Sequence, residues 1–297
     1  MPGTRLVLGP AEGRTRVPGM TNQNYPLLVR QEECQRIIDS MDILHIILLL
    51  IAGIFGGMIS TVIGGAAIIT FPVLLATGIS PVIATASNTV SLAPANLLAA
   101  VYDRSQLPPL GRTFIALVAA SLIGSLIGAS LLLLTPERVF ASLIPLLLGF
   151  ATVLFAYSAR ITAWMQARAL ARNGQGPHRW TDSIALLLPA SIYGGYFGAG
   201  IGVLVLGVLS IGTGGDYRSA NVTKNLVICL NSIVVSIYFA VQGTIAWPQV
   251  AVMMSGTLIG GLIGARIAQL LPNEAARRMV VAVGAILTVV FAWRYWF

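Results

Sequence analysis

The apolar run RSANVTKNLVICLNSIVVSIYFAVQG, residues 218–243, carries Lys224 about a third of the way along. A lysine that deep in a bilayer costs a few kcal/mol, so something has to offset it. At 1.5 Å per residue, a helix beginning near Arg218 places Lys224 roughly 10 Å inside. Its side chain either snorkels back to the surface or faces a water-filled cavity. In the second case a bound anion supplies the missing negative charge. Thr223 and Asn225 flank Lys224, and a second polar-dense stretch, ATASNTVSLAPAN (84–96), carries Ser87 and Asn88. Serine and threonine can satisfy their hydroxyls on their own helix backbone, so Asn88, Asn225 and Lys224 carry the stronger signal.

Each of these stretches follows a glycine cluster and a short apolar segment. The clusters are GGMISTVIGGAA (56–67) and GGYFGAGIGV (194–203). Clustered glycines break helices. A broken helix exposes backbone N–H groups at a new N-terminus, and those donors with the helix dipole suit an anion. Short, Gly-interrupted segments at matching places in two halves of a chain point to a transporter's substrate site. Gly64, Gly65, Gly200 and Gly202 are therefore candidate site glycines. Gly53/Gly57, Gly124/Gly128 and Gly260/Gly264 read instead as close-packing positions between helices.

The acidic residues matter by their placement. All ten lie in tails, in loops or at segment ends, with Asp42, Asp103 and Asp216 the closest cases. A carboxylate proton relay has no residues to build it, and Lys224 has no acidic partner within its run. The two cysteines, Cys34 and Cys229, and the two histidines, His45 and His178, are scattered. They suggest neither a disulfide framework nor a metal site, and no cofactor is implied. An intramembrane hydrolase needs a serine nucleophile beside a histidine base. The chain has no Gly-x-Ser-x-Gly, and His45 is its lone candidate base, so the expectation is a protein that is not an enzyme.

The elements that position these residues are membrane spans. Of the 297 residues, 56% are hydrophobic and only 9% charged, against about 25% charged in an ordinary soluble domain. The net charge of +8 comes from arginines between apolar runs, which reads as membrane orientation and not as nucleic-acid binding. Apolar segments fall near 43–63, 66–79, 82–103, 112–134, 138–158, 183–200, 202–214, 218–241, 247–271 and 276–296. Residues 1–42 read as a polar, disordered tail, with Met20 as a candidate start.

The basic stretch 159–182 splits the rest into halves, 43–158 and 183–297. SLIGSLIGA (121–129) and TLIGGLIGA (257–265) match at seven of nine positions, 136 residues apart. The same shift pairs Ala84 with Ala220, Ser87 with Thr223 and Asn88 with Lys224. Five segments per half make the repeats inverted. One side then collects nine arginines, among them Arg104, Arg112, Arg160 and Arg218, against Arg138, Arg294 and, in the part of the tail nearest the first span, Arg30 and Arg36 on the other. The positive-inside rule makes the first side cytoplasmic, with loop 159–182 inside and both termini outside an inner membrane. The expected fold is an all-α, multi-pass membrane protein of two inverted repeats, each with a Gly-broken short or re-entrant helix. A homodimer is left open.

The ordered set of motifs resembles the TauE/SafE family of sulfite-exporter-like membrane proteins. It comprises GIFGGMISTVIGGAAIITFPVLLATGISPVIATASNT, its echo YGGYFGAGIGVLVLGVLSIGTGGDYRSANVTKN, and the paired Leu-Ile-Gly-x-Leu-Ile-Gly-Ala segments, over about 43–296. Pro72, Gly78, Ala84 and Ser87 match the family pattern, as do Ala220 and Thr223 in the second half. Ser210 stands where the first copy has Pro72. The resemblance implies transport, often export, of sulfur-containing or organic anions such as sulfite, sulfonates, sulfoacetate or thiosulfate. A drug/metabolite-type exporter of five plus five helices is the alternative, and ten full-length spans would favour it.

Overall fold

The computed structural model describes residues 42–62, 64–107, 111–171, 178–212, 216–267 and 273–296. The polar tail, with Cys34 and Met20, lies outside the described residues except for Asp42. Among the described residues there are eleven α-helices and no strand. They are α1 (Ile43–Val62), α2 (Ala67–Ala76), α3 (Pro81–Tyr102), α4 (Arg112–Leu134), α5 (Glu137–Ala156) and α6 (Ser158–Ala171). The second half holds α7 (His178–Tyr196), α8 (Ile201–Gly212), α9 (Tyr217–Gln242), α10 (Trp247–Ile267) and α11 (Asn273–Trp296). Residues 41–297 cluster as one compact unit.

Seven described helices are long and apolar enough to cross a membrane: α1, α3, α4, α5, α9, α10 and α11. The shorter apolar stretches are Ala67–Ala76, Ile184–Tyr196 and Ile201–Ser210. Polar side chains are buried within a largely hydrophobic interior, while the outside of the bundle is apolar. Ser87, Ser91, Asn96, Thr223, Asn225 and Asn231 are buried, while Ile43, Leu134, Val241 and Val289 stand exposed. Water as the surrounding solvent would favour the reverse distribution; hydrocarbon favours this one.

The basic stretch read as a linker is largely helical. Its segment ARITAWMQARALA is rich in Ala, Arg, Met and Gln, which are strong helix formers. These residues fall within α6, which starts straight after Tyr157 and packs on α8, and α7 begins at His178.

Helix directions follow from specific contacts. Gly53 lies against Met253 and Gly256, and Gly57 against Thr257 and Gly261, so α1 and α10 run parallel. Gly124 meets Leu188 and Ser191, and Gly128 meets Ile192 and Tyr196, so α4 and α7 run parallel. These close-packing glycines sit where any Cβ would strike the facing backbone. By contrast, α3 and α9 are antiparallel. Asp103 after the end of α3 accepts from Arg218 Nη2 at 3.0 Å, near the start of α9, and Ser87 near the start of α3 accepts from Ala246 N at 2.9 Å, just past the end of α9. Exchanging α1–α5 for α7–α11 carries the α1–α10 pair onto α7–α4 and leaves the α3–α9 and α5–α11 pairs in place.

Candidate functional site

Two chain breaks meet at the centre of the helix set. After α1 the chain turns at Gly64, whose φ of +77° is costly for a residue with a side chain, and α2 starts at Ala67. After α7 it turns through Gly198 and Gly200, with φ +80° and +79°, and α8 starts at Ile201. The second break is held by an edge-to-face aromatic cluster: Phe197 lies 5.4 Å from Phe71 and 6.3 Å from Phe140 between ring centroids.

The breaks touch reciprocally. A methyl group on Gly64 would lie 2.7 Å from the Gly202 Cα, and one on Gly202 would lie 2.5 Å from the Gly64 Cα. The obstacles are backbone atoms that cannot swing aside. We expect Gly202→Ala to destabilise the protein by about 1–3 kcal/mol through overpacking. Gly64→Ala should cost about 1–2 kcal/mol more for its left-handed backbone. Thermal melts in detergent check this, and a Gly202→Ala melt equal to wild type would contradict the close approach.

Beside this contact lies a cavity of about 60 Å³, room for a few waters or one small ion. Gly65, Ala66 and Ala67 bring the start of α2 to its wall, and Gly198, Ile201 and Gly202 bring the start of α8. The first N–H groups of a helix have no partner within it, and α2 has no side-chain cap. Both positive helix ends therefore abut one cavity. The facing stripes of the antiparallel pair complete the wall: Asn88, Leu92 and Asn96 of α3, and Ile228, Ser232 and Val235 of α9, with Asn231 beside them. No carboxylate stands among the lining residues.

Asn88 Oδ1 and Asn231 Oδ1 are buried without hydrogen-bond partners, an arrangement that costs free energy unless a ligand or water meets it. A half-turn of an asparagine amide exchanges oxygen and nitrogen at nearly constant shape, so each can offer the cavity either an acceptor or two donors. Asn231 also donates to Ser121 Oγ at 2.7 Å, and Ser121 shares a 2.8 Å hydrogen bond with Ser191. That chain joins α9 to α4 and α7. Asn96 is satisfied: its Oδ1 accepts from Ser60 Oγ at 2.9 Å and its Nδ2 donates to Leu92 O at 3.2 Å.

The sequence-predicted site residues divide between the cavity wall and its surroundings. Asn88, Gly64, Gly65 and Gly202 line the cavity. Lys224 is not among the lining residues. The chain's one lysine is fully buried beside the Gly64–Gly202 contact, with Nζ 3.4 Å from where a Gly64 Cβ would stand. It has not snorkelled. It donates to Asn221 Oδ1 at 2.9 Å, and among the described residues no carboxylate pairs with it.

Asn225 is turned away, donating to Thr61 O at 3.4 Å with its Oδ1 unpartnered. Thr223 returns its hydroxyl to Ser219 O, Ser87 accepts from Ala246 N, and Gly200 packs on Ala151. These residues shape the surroundings without lining the cavity. Asn96, Asn231, Ser60 and Ser232 were missed as site residues. The signal was the spacing of Asn88, Leu92 and Asn96 at four-residue steps, which puts them on one helix face. Among the described residues no cluster of three metal-ligating side chains assembles.

Comparison with known proteins agrees with this picture. The chain is 23% identical over 243 residues to the "Probable membrane transporter protein YfcA" of Escherichia coli (strain K12), covering 81% of this chain and 87% of that one. It is 24% identical over 249 residues to a "Probable membrane transporter protein" of Haemophilus influenzae (strain Rd), covering 81% and 92%. No solved structure matches. The family model described as Sulfite exporter TauE/SafE matches residues 49–291, so the multi-pass helical chain with two broken helices at its centre belongs to the TauE/SafE family of membrane transporters.

Proposed function

We propose that the central cavity is the substrate site of a transporter for a small sulfur-containing or organic anion, of the sulfite, sulfonate, sulfoacetate or thiosulfate class, moved outward across the inner membrane. The observation that carries this reading is the convergence of two helix N-termini on a carboxylate-free polar cavity. An anion placed there meets backbone N–H donors and the positive ends of two dipoles. The Asn88 and Asn231 amides supply side-chain donors, and the Lys224 ammonium behind Gly64 supplies net charge. The antiparallel course of α3 and α9 supports inverted repeats, since a two-fold axis perpendicular to a helix is what reverses its copy. The arginine distribution supports a cytoplasmic placement for the α6–α7 region. The drug/metabolite-type alternative is disfavoured because α2 and α8 are short and begin at glycine breaks.

Flux of sulfite, thiosulfate, sulfoacetate and a carboxylate panel in liposomes tests the reading. Wild-type protein should move at least one sulfur oxyanion or sulfonate in preference to neutral and cationic solutes. A hydrogen bond to a charged group is worth roughly 1.5–3 kcal/mol. Asn88→Ala should therefore raise the half-saturating concentration about tenfold or more while the protein still folds. Transport of neutral or cationic compounds alone would overturn the proposal.

A further inference from the structure

The cavity is lopsided with respect to the exchange of the two halves. Along α3 one stripe faces the centre: Asn88, Leu92, Asn96 and then Ala99, spaced four, four and three residues. Along α9 the matching stripe is Lys224, Ile228, Ser232 and Val235, each 136 positions on from its counterpart. Because the helices are antiparallel, Asn88 lies toward the end where Val235 stands, and Lys224 toward the end where Ala99 stands. The cavity touches Asn88, Leu92 and Asn96 on one helix and Ile228, Ser232 and Val235 on the other. It touches neither Ala99 nor Lys224, which are both buried. One groove thus runs between two-fold-related stripes, hollow from the centre to the Asn88 end and shut at the Lys224 end.

The shut end has its own fastenings. Lys224 is held by Asn221 and Asn225 by the Thr61 carbonyl, and the Arg218–Asp103 ion pair at 3.0 Å ties the start of α9 to the end of α3. A lysine sealed away with one neutral partner is an expensive arrangement unless another state uses its charge.

We propose that Lys224 marks a second, latent half-site for the anion, the counterpart of the Asn88 half-site, which opens toward the opposite membrane face when the two halves exchange arrangements. The identity of the carried ligand rests on the anion reading given above. The exchange itself rests on the geometry of the two stripes. In the state described, the ligand meets the Asn88 amide. In the exchanged state the Asn88 end closes and the ligand meets the Lys224 ammonium. The two faces of the transporter would then hold the anion with different strength, tighter on the lysine side.

Ala99 and Val235 are the counterpart positions that test this: Val235 lines the cavity wall, Ala99 does not, and neither offers the anion a polar side chain. In a background of Cys34→Ser and Cys229→Ala, A99C and V235C are exposed in sealed vesicles to a membrane-impermeant charged maleimide, applied from one face and then from the other. V235C should react from a single face and A99C from the opposite face. A minor state populated at 0.1–10% makes the A99C rate roughly ten- to a thousandfold slower. Asp103→Asn, which removes the ion pair, should speed A99C and slow V235C. Sulfoacetate, inert toward the reagent, should protect both positions in otherwise wild-type protein, and Lys224→Met should remove protection at A99C while leaving it at V235C. Labelling of A99C from neither face, or from the same face as V235C, overturns the proposal. Labelling from opposite faces without protection by sulfoacetate supports the exchange and counts against the anion reading.

Discussion

Replacing Lys224 by methionine is expected to give a folded protein that has lost anion transport by about ten- to a hundredfold or more. The range comes from the roughly 1.5–3 kcal/mol of a hydrogen bond to a charged group. The fold should survive because Lys224 contributes little to it. The side chain is fully buried, its one recorded hydrogen bond goes to the neutral Asn221 amide, and no described carboxylate pairs with it. A buried charge with so little compensation opposes folding, and an apolar side chain of similar length relieves that cost. Melting of Lys224→Met at or above the wild-type temperature is therefore expected alongside the loss of flux.

Lys224→Arg should recover only part of the activity. The guanidinium is a wide planar fork where the ammonium is compact, and Nζ lies beside Gly64, whose backbone in turn abuts Gly202. Flux assays paired with thermal melts on the same preparations decide the matter. Wild-type flux in Lys224→Met would remove Lys224 from the mechanism. Failure of that variant to fold would make the lysine a structural element instead.

Much of this architecture was legible because hydrophobic runs and glycine clusters are local signals. The segments read at 66–79 and 202–214 are the short helices Ala67–Ala76 and Ile201–Gly212. The breaks stand at Gly64 and Gly198–Gly200 because left-handed backbone is cheap only for glycine. The 136-residue shift that pairs Asn88 with Lys224 also pairs the stripes on α3 and α9 that face the centre. The helix over Ser158–Ala171 was hidden by its charge: hydropathy registers arginine as polar, although arginine favours helix well.

The site was harder to read than the fold. Residue type identified Lys224, Asn225 and Asn88 as costly in a membrane, but type does not say which way a side chain points. Asn225 sits one position beyond Lys224, and one helical step of about 100° turns it to the Thr61 carbonyl. Asn231 lies seven residues, or two turns, beyond Lys224 and returns to the inner face. Lys224 shares that face yet misses the cavity, since the groove is shut at its end. That last fact depends on how the helices sit against one another, and no single-helix pattern carries it.

Outward flux of the anion should follow the membrane potential without a proton or sodium gradient. The described acidic residues lie at or near helix ends: Asp42 precedes α1, Asp103 caps α3, Glu137 opens α5, Asp182 is the fifth residue of α7, Asp216 caps α9 and Glu274 is in the first turn of α11. None reaches the cavity, so its wall offers no carboxylate to carry a proton inward. Moving one negative charge outward across an interior-negative membrane gains about 2.3 kcal/mol per 100 mV. That supports roughly a fortyfold outward gradient of a monoanion, so efflux needs no second ion, whereas uptake would have to overcome the same term. The unpartnered oxygens of Asn88 and Asn231 are the one feature that favours a competing arrangement, because neutral amide oxygens can also hold sodium. The decisive measurement is flux in sealed vesicles at a clamped potassium-diffusion potential, with pH and sodium gradients imposed or collapsed independently. Outward flux that rises with an interior-negative potential, and is unchanged when both gradients are collapsed, is the expected result. Flux indifferent to the potential but proportional to the sodium gradient would reassign the two asparagine oxygens to a coupling cation.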